Sequence, residues 1–222
     1  MDIQAWMTGY TDAVQAVFPG RVRFIGLQGS RGRGEARPDS DIDAVLILDR
    51  LEDADLETYA ALLDKLPYRE LICGFTAGMD ELATWEKFDL IQLILDTTPF
   101  VGSLDELMAT VAREDWMRAV RIGAGNIYHI CNHNRLHGKK PRTAARLYKD
   151  AVFVLQAKGW LETGIYARRL DELIPLLSGE DAAVAQCALS LRHGGEAPSL
   201  EVMSAQLRAW AASQLRYASI TD

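Results

Sequence analysis

Apolar residues at Ile3, Trp6, Met7, Tyr10, Val14 and Val17 fall at the i, i+3, i+4, i+7 spacing of an amphipathic helix. Pro19-Gly20 ends that stretch. Residues 21–27 alternate as a strand does, and a Gly- and Arg-rich segment runs from Gln28 to Ser40. The run 41–48 (DIDAVLIL) is short, apolar and β-branched, which predicts a second strand. Leu56, Tyr59, Leu62, Leu63 and Leu66 predict a helix over 55–66, broken by Pro67. A strand over 68–75, a short helix over 79–85 and a strand over 88–95 (FDLIQLIL), stopped by Thr97-Thr98-Pro99, complete this half.

Beyond residue 100 the pattern is helical alone. Ser103-x-x-Glu106 has the form of a capping box. A long helix is expected over about 115–136, with Gly138 as its stop signal, and a second from Pro141 to Gly159. Further helices fit about 165–177, 180–192 and 199–217. The expected class is α+β: an α/β domain over 1–112 followed by an all-α helical bundle over 113–222.

Composition narrows the classes. The 222 residues carry a net charge of −7, with 49% hydrophobic and 25% charged residues, as in an ordinary globular protein. No apolar run approaches about 18 residues, so no membrane partner is expected. The N-terminus shows no basic segment leading into an apolar one, and Cys73, Cys131 and Cys187 form neither a zinc spacing nor a disulfide framework. A cytoplasmic location is expected. The acidic balance argues against duplex DNA or long RNA as a partner. That balance is uneven, however. Residues 116–149 contain no acid and eight basic residues, leaving 16 basic against 31 acidic elsewhere. Such a stretch either faces an anion or is a solvated basic face.

The segment Gly29-Ser30-Arg31-Gly32-Arg33-Gly34-Glu35-Ala36-Arg37-Pro38-Asp39-Ser40-Asp41-Ile42-Asp43 holds the chemistry. Asp41 and Asp43, two apart on a strand, share a face. Their repulsion calls for a bound cation or a proton, and paired carboxylate oxygens suit Mg²⁺. Gly29-Ser30 follows a strand and opens a tight turn whose amides can receive phosphate, with Arg31, Arg33 and Arg37 on the same loop. Each half alone reads equally as a surface turn. Together they suit a nucleoside triphosphate bridged to Mg²⁺, with two ions flanking an in-line displacement.

Strand, Gly-Ser, about ten residues, then Asp-x-Asp resembles the signature of the DNA polymerase β-like nucleotidyltransferase superfamily. The wording GSRGRGEARPDSDID is similar to small bacterial members of the kanamycin, lincosamide or antitoxin type. The resemblance implies a small mixed sheet with helices in the first domain. It implies transfer of an NMP, AMP first among them, from ATP or another NTP to a hydroxyl acceptor. It also implies a third carboxylate on a neighbouring strand, as metal ligand or base. Asp89 is the choice, with Asp96 and Glu86 as alternatives. Gly29, Ser30, Arg31 and Arg33 would bind the nucleotide.

In the helical half, Arg142, Arg146 and Lys149 share a helix face, and the resemblance suggests Lys149 and Arg146 as triphosphate contacts. His129, His133 and His137 also share a face, but with no third ligand type. Trp116, Trp160 and Trp210 read as core. A small-molecule acceptor of the aminoglycoside kind is expected, because minimal antitoxin relatives lack a fused helical unit. The alternatives are AMP transfer to a tyrosine of a partner protein and a non-catalytic nucleotide-binding module.

Overall fold

A computed structural model describes residues 1–219. The chain divides into two compact units, Met1–Val111 and Ala112–Asp222.

In the first unit, helix α1 (Ile3–Val17) opens on Asp2, whose carboxylate accepts from the Gln4 and Ala5 amides. Its apolar stripe of Trp6, Met7, Tyr10 and Val14 is buried. Strands β1 (Val22–Gln28) and β2 (Ile42–Leu48) pair antiparallel, with the four-residue helix α2 (Gly29–Gly32) opening the connection. Helix α3 (Asp53–Leu63) leads to β3 (Ile72–Gly78), which lies parallel to β2. Helices α4 (Met79–Thr84) and α5 (Lys87–Leu95) follow, then β4 (Thr98–Val101), antiparallel to β1, and α6 (Asp105–Met108). The sheet order is β3-β2-β1-β4. It is the small mixed sheet that the resemblance implies.

Strand alternation builds two cores. Ile25, Leu27, Ile42, Ala44, Leu46 and Leu48 face α1 and α3. Phe24, Val45, Ile47 and Ala77 face the other way, onto Leu82, Leu90 and Leu93 of α4 and α5. At the edge of the first core, Arg21 holds both Asp49 (3.1 Å) and Asp55 (2.6 Å).

Two elements depart from expectation. FDLIQLIL is a helix, α5, and the fourth strand is the Thr98–Val101 segment expected only to end it. In α5, Leu90, Ile91 and Leu93 are buried, so one helical stripe covers the sheet. A continuous apolar run fits a buried strand and such a helix equally well by composition. β3 also begins later than residue 68, because Tyr68 adopts a left-handed conformation and a 3₁₀ turn precedes the strand.

The second unit is helical: α7 (Arg113–His133), α8 (Pro141–Thr163), α9 (Leu170–Leu173), α10 (Gly179–Arg192) and α11 (Leu200–Tyr217). A π turn at Asn134–Gly138 joins α7 to α8, and Pro141 opens α8 at a position where its missing N–H costs nothing. The helix expected over 165–177 is only α9 and a following 3₁₀ turn. Trp116 stacks on Trp160 at 4.0 Å between ring centroids. Trp210 is buried and donates to Asp181 (2.7 Å), which also pairs with Lys158. No helix among the described residues is long and apolar enough to cross a membrane.

Candidate active site

β1 ends at Gln28, and the chain turns immediately at Gly29 with φ +70°. That turn sets Gly29 against β2. A Cβ built there would lie 2.0 Å from Asp43 Oδ2 and 2.9 Å from its Cγ. Glycine is therefore required twice, by the left-handed backbone and by the carboxylate beside it. Asp43 is half-buried, and Asp41, one residue before the strand, is exposed. Both alternate with Ile42 of the first core, so they lie on the Val45–Ile47 face, at its open end. Ser30 is half-buried at the start of α2, and its hydroxyl has no hydrogen-bond partner among the described residues.

The loop arginines do different work from that expected. Arg31 is buried and donates inward, through Nε to the carbonyls of Ser40 and Asp41 (both 3.1 Å) and through Nη2 to Ser40 (2.6 Å). It clips the loop onto the residues that enter β2. Arg33 pairs with Glu35 (2.9 Å) and with the buried Asp96 (2.5 Å). Burial works against the Arg33 charge, but Asp96 and Glu35 outweigh it and raise the pKa. Thr98 Oγ1 donates to the Gly32 carbonyl (3.1 Å). The loop is thus tied to β2, α5 and β4. Arg31 and Arg33, expected as phosphate contacts, have their guanidinium groups turned to these ties. Asp96, an alternative third carboxylate, is engaged as the partner of Arg33.

The neighbours of Asp43 on the sheet are Gln28 on β1 and Cys73 on β3. Neither is an acid. Asp89 does not open a strand, as expected, but lies in the first turn of α5. It is exposed, although partial desolvation raises its pKa against the lowering effect of the nearby Trp85 side chain; Glu86 adds to the rise. Among the described residues, no three His, Cys, Asp or Glu side chains are grouped to hold a metal. Asp41 and Asp43 remain as a pair of hard oxygen donors on one face, with Asp89 approaching from the helix layer. Asp89 lines a cavity of about 240 Å³ together with Gln28, Phe75, Trp85 and Gln92.

Comparison with known proteins fits this geometry. Residues 11–96, from α1 through the end of α5, match the nucleotidyltransferase domain family. The first unit is a polymerase β-like nucleotidyltransferase domain. On that domain the chain is a nucleotidyltransferase enzyme. The crystal structure of a spectinomycin adenyltransferase from Enterococcus faecialis, with ATP and spectinomycin, is similar in fold, with a TM-score of 0.58. The likeness covers 96% of this chain and 99% of that one at 12% identity. No curated protein matches in sequence.

Outside the nucleotidyltransferase domain, Arg142, Arg146 and Lys149 are exposed on α8. Tyr148 between them turns inward, fully buried, and its hydroxyl donates to Gln206 (2.5 Å). It is a core residue of the helical unit. His129, His133 and His137 form an exposed ladder, with ring centroids 6.2 and 4.9 Å apart. No motif or spacing marks Gln28, Phe75, Trp85 and Gln92 as cavity residues. Asp89 and Gln92 are three apart and meet only on a helix, so the strand reading hid them.

Proposed function

We propose that the chain transfers an NMP, AMP first among them, from an NTP to a hydroxyl of a small molecule and releases pyrophosphate. The observation that carries this reading is the seat of Asp43 against Gly29, with Asp41 on the same face. Two carboxylates with a Cβ-free space beside them fit Mg²⁺, which prefers oxygen ligands. Asp41 and Asp43 would hold it. Bound there, Mg²⁺ neutralises phosphate charge and orients the triphosphate.

The residues of the chain do the rest. Gly29 and the free hydroxyl of Ser30 receive the β- and γ-phosphates. Arg31 and Arg33 fix the loop that carries them. Lys149 and Arg146, exposed cations of α8, bind the triphosphate. Asp89 takes the proton of the acceptor hydroxyl as its oxygen attacks the α-phosphorus. The bond from the α-phosphorus to the bridging oxygen breaks, and pyrophosphate leaves. Catalysis is mostly positioning and charge stabilisation. A helical unit fused to the nucleotidyltransferase domain, and the spectinomycin bound in the similar structure, favour a small acceptor of the aminoglycoside kind. A cytoplasmic enzyme supplied with ATP and Mg²⁺ is the setting.

The test is incubation with Mg²⁺ and each NTP, with aminoglycosides, cell extract or candidate proteins as acceptors. Pyrophosphate and adduct mass are read together. An adduct on a small molecule, abolished by Asp43→Asn, is expected. Tyrosine adducts alone would replace the acceptor class. NTP binding with no pyrophosphate release from any acceptor would sink the reading in favour of a binding module.

A further inference from the structure

α7 ends in a histidine pair that the transfer reaction does not use. His133 is its last residue, and His137 lies in the π turn that follows. Both are exposed, and among the described residues no hydrogen bond holds either imidazole. Their ring centroids are 4.9 Å apart, against 6.2 Å for His129 and His133 one turn earlier. The π turn accounts for the difference. It closes over five residues instead of four, so it is wider and rises less per residue than an α-helix. Side chains four apart therefore come closer along the axis.

That turn is held at a cost. Lys139, which carries a Cβ, is left-handed at φ +48°, and its amide donates to the Asn134 carbonyl (2.6 Å). Buried Asn134 closes the turn with its side chain, donating to the Lys140 carbonyl (3.0 Å) and accepting from the Lys140 amide (3.1 Å). The backbone thus places His137 beside His133 in advance of any ligand, which lowers the ordering cost of binding one.

The spacing is that of two rings around one ion. An ion about 2.0–2.1 Å from one nitrogen of each ring lies about 3.2 Å from each centroid, so the centroids are about 5.1 Å apart at a tetrahedral angle and about 4.5 Å apart at a right angle. The His133–His137 separation falls between these values. The His129–His133 separation needs the nitrogens almost opposite each other across the ion, which a tetrahedral ion does not allow. Imidazole suits Zn²⁺, Cu²⁺ and Ni²⁺, whereas Mg²⁺ takes oxygen. Among the described residues, no three His, Cys, Asp or Glu side chains form a metal group, so the remaining positions are open to water and the site fills reversibly. Arg135, Lys139 and Lys140 are exposed close by in the chain and oppose a further positive charge, but between exposed groups that repulsion is screened.

We infer that His133 and His137 chelate one divalent ion of the zinc, copper or nickel class, and that the ion clamps the π turn between α7 and α8. His129 stands outside the chelate.

The experiment is calorimetric titration of the whole untagged chain with Zn²⁺, in excess Mg²⁺ and with the exposed Cys73 replaced by Cys73→Ser. One ion binds per chain. His133→Ala and His137→Ala each weaken binding about tenfold or more, while His129→Ala stays within about twofold. All three positions are exposed, so without the ion these variants melt with the parent. With the ion, hydrogen exchange slows over residues 134–141 in the parent and not in His137→Ala. No saturable binding to the parent overturns the inference. So does binding that survives both His133→Ala and His137→Ala, which puts the ion elsewhere. A loss in His129→Ala equal to that in His133→Ala overturns the pair in favour of the whole ladder. One ion per two chains overturns a site built by a single chain, and unchanged exchange over 134–141 with the ion bound overturns the clamp.

Discussion

Gly29 and Gly34 make a matched pair for testing where the reacting centre lies. Both have positive φ, +70° and +73°. An alanine at either site bears the left-handed penalty, about 1–2 kcal/mol. Their surroundings differ. A Cβ at Gly34 meets nothing within 4 Å, whereas one at Gly29 lies 2.0 Å from Asp43 Oδ2. Carbon and oxygen at rest sit about 3.5 Å apart, so the carboxylate or the turn must give way by about 1.5 Å. A misplacement of about 1 Å at a reacting centre costs on the order of 100-fold in rate. Gly34→Ala should therefore lose about 1–2 kcal/mol of stability, or about 2–8 °C in Tm, and keep kcat/KM within about threefold. Gly29→Ala should melt at a similar or lower temperature and lose about 100-fold in kcat/KM. The assays are a thermal melt and continuous pyrophosphate detection. If Gly29→Ala melts like Gly34→Ala and turns over like the wild type, Asp43 is not at the reacting centre.

Arg33→Met removes the guanidinium facing the buried Asp96 carboxylate, and urea unfolding should show a loss of about 3 kcal/mol; a loss under about 1 kcal/mol would make the tie marginal. Asp55 is held down to about 2 from the ordinary 3.8, chiefly by its hydrogen bond from Arg21 and then by the Glu52 amide. Because the folded value lies below the unfolded one, its stabilisation is complete above about pH 4 and is lost as pH falls toward 2. Melting temperature against pH over that window should be flatter in Asp55→Asn than in the wild type, and parallel curves would refute the linkage. Lys149→Ala and Arg146→Ala remove exposed charges, so Tm should stay put while the KM for NTP rises about tenfold. An unchanged KM removes α8 from the nucleotide site.

The turn that sets Gly29 beside Asp43 was legible because its residues are locally determined. Gly-Ser after a strand and Asp-x-Asp opening the next need only the two strands to pair, and they do, with Gln28 opposite Asp43. The first helix was legible for a related reason: one apolar stripe and a closing Pro-Gly leave a single reading. FDLIQLIL was not, because eight residues with six apolar positions satisfy both a two-sided strand and a one-sided helix. Only tertiary packing decides between them, here the burial of Leu90, Ile91 and Leu93 against the sheet. The same packing decided the arginines. Arg31 and Arg33 carry the right charge for phosphate. Their destinations, the Ser40 carbonyl and the Asp96 carboxylate, are set by a loop closure that residue types alone do not encode.

The helical assignment of α5 changes what the third carboxylate can be. On a strand beside β2, Asp89 would lie level with Asp41 and Asp43 and share their metal. On α5 it stands in the layer above the sheet, beside a cavity with two unpartnered amides. The strand position level with Asp43 is taken by Cys73, which is exposed and brings no hard oxygen. A carboxylate that completes a metal site must stay ionised under a cation's field. One that accepts a proton from a hydroxyl works best with a raised pKa, and partial desolvation pushes Asp89 that way. In the proposed reaction the sheet acids therefore hold the metal and the helix acid takes the proton.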